Sequence, residues 1–251
     1  MSERAPTIRI VLVRPAGARN VGAVCRAMKA MGLSRLCIVS PAAELSASAV
    51  HESALHGYEL YEGAVRFESL SEAVSDSQLV AGFTRRHGQR RNQARYAPDE
   101  FAELVSSYRN GTIDLLFGNE ETGLTNEELA HCSVAVTIPT DEGFPSLNLS
   151  HAVQIACYEL FRRARDHATG GPSKGRYRQT ITVAEATDLA ERVAGELEPL
   201  GLFKLGDREL QSRRLRDLFV RAALTQGERA WLQRMFKKIR YLGRGYPDPS
   251  Q

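Results

Sequence analysis

The sequence predicts an α/β protein built on a parallel sheet, followed by a small all-helical C-terminal domain. Three observations point there. Over the first 160 residues, strand-like apolar runs alternate with helical patterns, which is the signature of a parallel sheet with helices on both faces. Residues 167–180, HATGGPSKGRYRQT, are Gly, Pro, Ser and charge, and read as a linker. Beyond them come three helical patterns and no strand-like run. The expected domains are therefore 1–166, a linker at 167–180, and 181–251.

The elements follow in order. Strands are expected at Ile8–Val13, Leu36–Val39, Ala64–Phe67, Leu79–Phe83, Ile113–Phe117 and Val134–Ile138, each a short apolar run bounded by polar or glycine residues. Helices are expected near 19–32, 48–56, 69–76, 98–108, 125–131 and 148–166. The first has Val21, Val24, Cys25, Met28 and Met31 at helical spacing. Thr125 with Glu128 forms a capping box that opens one of them. In the C-terminal part the helices fall near 182–198, 207–222 and 226–242. Thr182 with Glu185, and Thr225 with Glu228, cap two of these.

Composition narrows the class. The chain has 251 residues, 43% hydrophobic and 25% charged, which is neither disordered nor membranous. No apolar run approaches the roughly 20 residues that cross a bilayer. The start, MSERAPTIRIVLV, lacks the pattern of an export signal. Cys25, Cys37, Cys132 and Cys157 have no CxxC spacing and sit in apolar surroundings, so they read as reduced thiols of a cytoplasmic protein. The histidines form no HxxxH pair, and no metal site is expected. Residues 1–160 carry a net charge of −5 and residues 161–251 a net +8. A basic tail on an acidic core fits a polyanionic partner or a solubilising helical face.

In a parallel open sheet, ligands bind beyond the carboxyl ends of the strands. Four segments there are chemically unusual. After the first strand, RPAGARNVGAVCRAMKAMG places Arg19 and Arg26 seven residues apart, about 10 Å along one helix face. That face fits a phosphate contact or a solvated basic surface. GARNVG is not GxGxxG, and the second strand ends in Val39-Ser40-Pro41 with no acid to hold a ribose. Both facts argue against a nicotinamide cofactor. After the fourth strand, Arg85, Arg86, Arg90, Arg91, Arg95 and His87 fall within eleven residues, which fits a phosphate-contacting loop or a solvated one. After the fifth, GNEETG combines two glycines with Glu120 and Glu121. After the sixth, GFPSLNLSHA crowds Ser146, Asn148 and Ser150 at one helix entrance, where a single cap would suffice.

Taken together, ArgAsn-Val-Gly-Ala-x-x-ArgAla (19–27), GlyAsnGlu-x-ThrGly (118–123) and SerLeuAsn (146–148) resemble the three motifs of the SPOUT methyltransferases, TrmH/SpoU branch. The resemblance spans roughly residues 7–163. Within that branch the FGNEETGLTNEEL run and the C-terminal LRDLFVRAAL…GERAWLQRMFKKIRYL are most similar to the TrmJ group of tRNA 2′-O-methyltransferases.

The resemblance implies a trefoil-knotted sheet, a homodimer and S-adenosylmethionine as cofactor. It implies a reaction at the ribose 2′-OH of cytidine or uridine at anticodon-loop position 32 of tRNA, with neither DNA nor membrane as partner. It places Asn20, Arg26, Glu120, Ser146 and Asn148 at the reaction site. Phe83, Thr84, Arg85, Gly118, Ile138, Pro145, Ser146 and Leu147 would form the cofactor pocket. Arg19, Arg86, Arg90, Arg91 and Arg95 are the expected RNA contacts, and the C-terminal helices would bind RNA or support the dimer. A guanidinium keeps its proton, so Arg26 reads as a phosphate clamp and stabiliser of a developing alkoxide rather than as a base. The competing readings are an rRNA methyltransferase of the same fold, a non-catalytic RNA-binding module, and an oxidoreductase.

Overall fold

Seven strands, all parallel, form one sheet in the order β3-β2-β1-β6-β4-β7-β5. They are β1 (Thr7–Val13), β2 (Arg35–Val39), β3 (Val65–Phe67), β4 (Ser77–Phe83), β5 (Arg95–Tyr96), β6 (Thr112–Phe117) and β7 (Val134–Val136). The computed structural model describes residues 5–42, 44–85, 94–143, 146–168, 180–203 and 207–243. The chain divides into two compact units, 1–178 and 179–251.

The sheet explains its own sequence. β1, β6 and β4 lie at its centre with helices on both faces, so both sets of side chains are buried and the runs read IVLV, DLLF and LVAGF rather than alternating. The helices of this unit are α1 (Ala18–Ala30), α2 (Ala47–Ala54), α3 (Tyr58–Glu62), α4 (Leu70–Ala73), α5 (Pro98–Ser106), α6 (Asn126–Leu129) and α7 (Leu149–Ala168). Helix α7 packs against both α1 and α5. Ile10, Leu12, Met28, Ile38, Phe101, Ile113 and Leu115 are fully buried between the layers.

The connections interlock. β7 lies between β4 and β5, and β4 lies between β6 and β7. Each crossover therefore spans a strand belonging to the other. The strand ends are tied across this region: the Thr84 N–H donates to the Val136 carbonyl at 3.0 Å, and the Thr137 hydroxyl to the Thr84 carbonyl at 2.9 Å.

Three elements differ from the sequence reading. Arg95, expected in a basic loop, lies in strand β5, which the reading lacked. β7 orders it: the Ala135 and Thr137 N–H groups donate to the Ala94 and Tyr96 carbonyls, both at 3.0 Å. The short helix α3 was also unread. The sixth strand stops at Val136, two residues short of Ile138.

The amino ends of the central strands hold a buried ion pair. Arg9 on β1 donates from Nε and Nη2 to the two Asp114 oxygens on β6, at 2.6 and 2.8 Å. Ser77 Oγ also donates to Asp114. Asp114 is fully buried, and Asp114→Ala would strip Arg9 of its two-oxygen buried partner, leaving it the exposed Asp76 carboxylate, the Ala73 carbonyl and the Ser77 hydroxyl. That variant is expected to lose about 3–5 kcal/mol of stability, read as a lower urea midpoint with unchanged m-value.

The second unit holds α8 (Val183–Leu197), α9 (Arg208–Arg221) and α10 (Gln226–Gly243). Both expected capping boxes form, Thr182 with Glu185 and Thr225 with Glu228. Its core is Ile181, Ala186, Leu189, Ala190, Val193 and Phe219. Helix α10 carries Arg234, Lys237 and Lys238 and exposes Trp231 and Tyr241. All four cysteines are buried and free. Burial pushes Cys25 and Cys157 up to about 12, so these thiols stay protonated and unreactive.

Candidate functional site

Beyond the end of β6 the chain makes a tight turn, and its residue types explain the shape. At Gly118 the backbone presses against the far side of the turn. A Cβ there would stand 2.2 Å from the Gly123 carbonyl carbon and 2.3 Å from the Leu124 nitrogen. Asn119 folds the turn from inside. Its Oδ1 accepts the N–H groups of Glu121 and Thr122, at 3.0 and 3.3 Å, and its Nδ2 donates to the Arg14 carbonyl at 2.9 Å. The Gly123 N–H closes the turn on the Asn119 carbonyl at 2.8 Å, with Gly123 at φ +64°. This is an Asx turn. Asn119 was not among the residues singled out from sequence, although an asparagine between glycines in a strand–helix turn is the usual signal for one.

The turn presents Glu120 to the start of α1. One carboxylate oxygen accepts the Ala16 N–H at 3.0 Å; the other accepts the Gly17 N–H at 3.0 Å and Asn20 Nδ2 at 3.1 Å. Asn20 Oδ1 in turn accepts Asn148 Nδ2 at 3.1 Å. Asn148 Oδ1 accepts both the N–H and the hydroxyl of Ser150, at 2.9 and 2.8 Å, at the start of α7. A hydrogen-bonded chain thus runs Glu120–Asn20–Asn148–Ser150 and joins three segments far apart in sequence. It fixes the orientation of both amides, because each oxygen and each NH2 has a defined partner.

Burial of Glu120 would raise its pKa, but the N–H groups of Ala16 and Gly17 and the Asn20 amide outweigh it and hold the carboxyl below the ordinary glutamate value. A depressed native value contributes stability above the unfolded value, about 4.3, and the contribution is lost as pH falls through the native value. The stability gap between wild type and Glu120→Gln is therefore expected to be full at neutral pH and to close on acidification. Urea melts at pH 7 and pH 3.5 check this; a gap that widens in acid would refute the assignment.

Next to this chain lies a cavity of about 220 Å³. Its floor is apolar: Phe83 and Phe117 stack with centroids 4.5 Å apart, joined by Val136, Ile138, Leu149 and Ala152. Its rim is Thr84, Arg85, the turn from Gly118 to Leu124, Thr140, Ser146 and Leu147. Phe83, Thr84, Arg85, Gly118, Ile138, Ser146 and Leu147, named from sequence for a cofactor pocket, all line this one cavity. Glu120 lines it too, whereas Asn20 and Asn148 reach it through Glu120. Arg26 does not line it. It stands exposed on α1, six residues beyond Asn20. Arg19 is also exposed, with Glu52 at 3.9 Å. Arg95 lies on β5. Pro145, Arg86, Arg90 and Arg91 lie outside the described residues.

The SpoU rRNA Methylase family matches residues 7–158. The tRNA (cytidine/uridine/adenosine-2′-O-)-methyltransferase TrmJ of Pseudomonas aeruginosa is 34% identical over 250 residues, covering 95% of each chain. The crystal structure of TrmJ from Z. mobilis superposes with a TM-score of 0.73 at 26% identity, over 92% of this chain and 98% of that one. A structure described as concerning 2-OH methylation of C/U34 on tRNA is 26% identical with a TM-score of 0.50, and covers 63% of this chain and 96% of its own.

Proposed function

Since this chain belongs to the SpoU rRNA Methylase family and has its α/β-knot fold, we propose that it methylates a ribose 2′-OH of tRNA at the cytidine or uridine of anticodon-loop position 32. The observation that carries the reading is the Glu120–Asn20–Asn148 chain at the edge of the Phe83–Phe117 cavity. The residues present fit S-adenosylmethionine. Stacked rings offer a flat apolar floor for a purine, and the backbone of the Gly118–Gly123 turn offers polar groups at its edge. When bound, that cofactor supplies a methyl group activated on a sulfonium.

The protein's share is orientation and charge. Ser146 and the amides of Asn20 and Asn148 hold the ribose hydroxyl in line, which can supply several kcal/mol when alignment is tight. Arg26, outside the cavity and exposed to solvent, meets the RNA phosphate and the oxygen as its charge develops. Anticodon-loop bases are unpaired, so the target nucleotide is open to such a site.

The second unit supports a TrmJ-like reading over one like the C/U34 protein. The chain matches its P. aeruginosa relative across both units, while the C/U34 protein spans 63% of it. Arg19, Arg85, Arg95 and the basic face of α10 are the RNA contacts of this reading. Tyr158 and Phe161, exposed on α7, fit a homodimer face. Among the described residues no helix is long and apolar enough to cross a membrane. With four buried free thiols, the site of action is the cytoplasm.

Nucleoside mass spectrometry of tRNA and rRNA from a strain lacking the protein tests this. Loss of 2′-O-methylation at tRNA position 32 is expected. Loss at position 34 or in rRNA, with position 32 intact, would replace the substrate assignment while leaving the chemistry.

A further inference from the structure

Arg14 has a backbone that arginine rarely adopts, φ +52°, directly after β1. Such a conformation persists only where surrounding contacts over-determine it, and these cluster at ligand-binding walls. The contacts are all present. The Arg14 N–H donates to the Val39 carbonyl at the end of β2, at 2.9 Å, and its carbonyl accepts Asn119 Nδ2 at 2.9 Å. Its Nη2 donates to the Gly123 carbonyl at 3.2 Å. Nε and Nη2 also fork onto the two oxygens of Glu128, at 2.5 and 3.1 Å. Glu128 is itself the capping-box residue of α6, accepting the Thr125 N–H at 2.7 Å. Burial would raise Glu128, but Arg14 and Thr125 outweigh it and keep the carboxylate ionised.

We propose that Arg14 is a positioning residue for the cofactor. Its backbone and its guanidinium together staple the cavity-lining turn Asn119–Gly123 to β2 and α6, and so set where Glu120 and the cofactor-facing backbone stand. The residue holds both ends of the turn, Asn119 by its carbonyl and Gly123 by Nη2, yet is not itself part of the cavity wall. No single helix cap or ion pair would do this, because the fork must reach a carboxylate and a carbonyl at once. The inference rests on the reading of the cavity as the S-adenosylmethionine site.

The test uses the full chain and S-adenosylmethionine as the titrant, with wild type, Arg14→Ala, Arg14→Gly, Arg14→Lys and Glu128→Gln. Arg14→Ala is expected to weaken S-adenosylmethionine binding between about ten- and a hundredfold. KM for the cofactor rises with it and kcat at saturation falls by a smaller factor, because Glu120 shifts with the turn, while KM for tRNA changes little. Arg14→Gly separates positioning from folding. It relaxes the backbone and so melts no lower than the alanine variant, yet it loses as much cofactor affinity. Arg14→Lys keeps the charge but not the fork, and falls between. Glu128→Gln keeps the cap and weakens binding less than Arg14→Ala. If Arg14→Gly restores both melting temperature and affinity, or if every folded variant binds like wild type, Arg14 is only structural and the proposal falls. A wild-type chain that fails to bind S-adenosylmethionine overturns the reading of the cavity as well.

Discussion

Arg26→Ala is expected to lower methyl-transfer turnover on tRNA by on the order of a hundred- to a thousandfold, with S-adenosylmethionine affinity within about twofold of wild type. The placement of the side chain makes both halves of this expectation. Arg26 is exposed on α1, outside the cavity walls, so its loss removes nothing the cofactor touches. It follows Arg19 by seven residues on the same helix, two turns along one face, a line on which both guanidiniums can reach one RNA strand. A guanidinium there acts where charge develops, and such an interaction appears in kcat rather than in cofactor binding. Single-turnover methylation and calorimetric titration with the cofactor measure the two quantities separately. A parallel collapse of cofactor affinity would sink the assignment, because Arg26 would then support the pocket itself.

Gly118→Ala is expected to remove cofactor binding and to cost about 3 kcal/mol of stability, a fall of roughly 10 °C in melting temperature. The added methyl would meet the Gly123 carbonyl carbon at 2.2 Å and the Leu124 nitrogen at 2.3 Å. Both are backbone atoms of the opposite limb of one turn, so neither can swing aside as a side chain could. Relief requires the turn to open, and the turn carries Glu120. Gly123→Ala is the control. Nothing lies within 4 Å of a Cβ at Gly123, but its φ of +64° is unfavourable for alanine. That cost is about 1 kcal/mol, without a clash. Thermal melts and cofactor titration of the two variants should therefore differ clearly, with Gly118→Ala much the worse. Equal effects would mean that conformational strain, rather than close packing, shapes the turn.

Much of this molecule was legible in its residues. β1, β4 and β6 are buried on both faces, so each is a short apolar run, and its brevity between polar or glycine residues marks it as strand rather than buried helix. The capping boxes at Thr125, Thr182 and Thr225 are local, and each formed where its spacing indicated. The order of strands was beyond such reasoning, since periodicity says which face is buried and not which neighbour covers it. β5 was hidden for a related reason. Arg95 and Tyr96 are strand only because β7 offers them N–H groups, and two residues after an arginine run carry no pattern of their own.

The site divides in the same way. Glycine and polar residues after the strand ends marked the three segments, and the rule that ligands sit at carboxyl ends brought them together. Asn119 and Arg14 escaped notice because much of their work is done on backbone groups of distant residues, partners that the sequence does not identify. Arg14 in particular looks like any arginine until its φ is known.

Asn148 has two customers whose chemistry conflicts. Ser150 wants an acceptor, and Asn20 Oδ1 wants a donor. Aspartate would cap the helix as well as asparagine does, but it would turn a second oxygen toward Asn20. Serine would cap it too, on a side chain that ends one bond sooner. Only a short amide satisfies both neighbours at once. The best residue for starting a helix and the best residue for this position are thus different questions, and the identity of Asn148 answers the second.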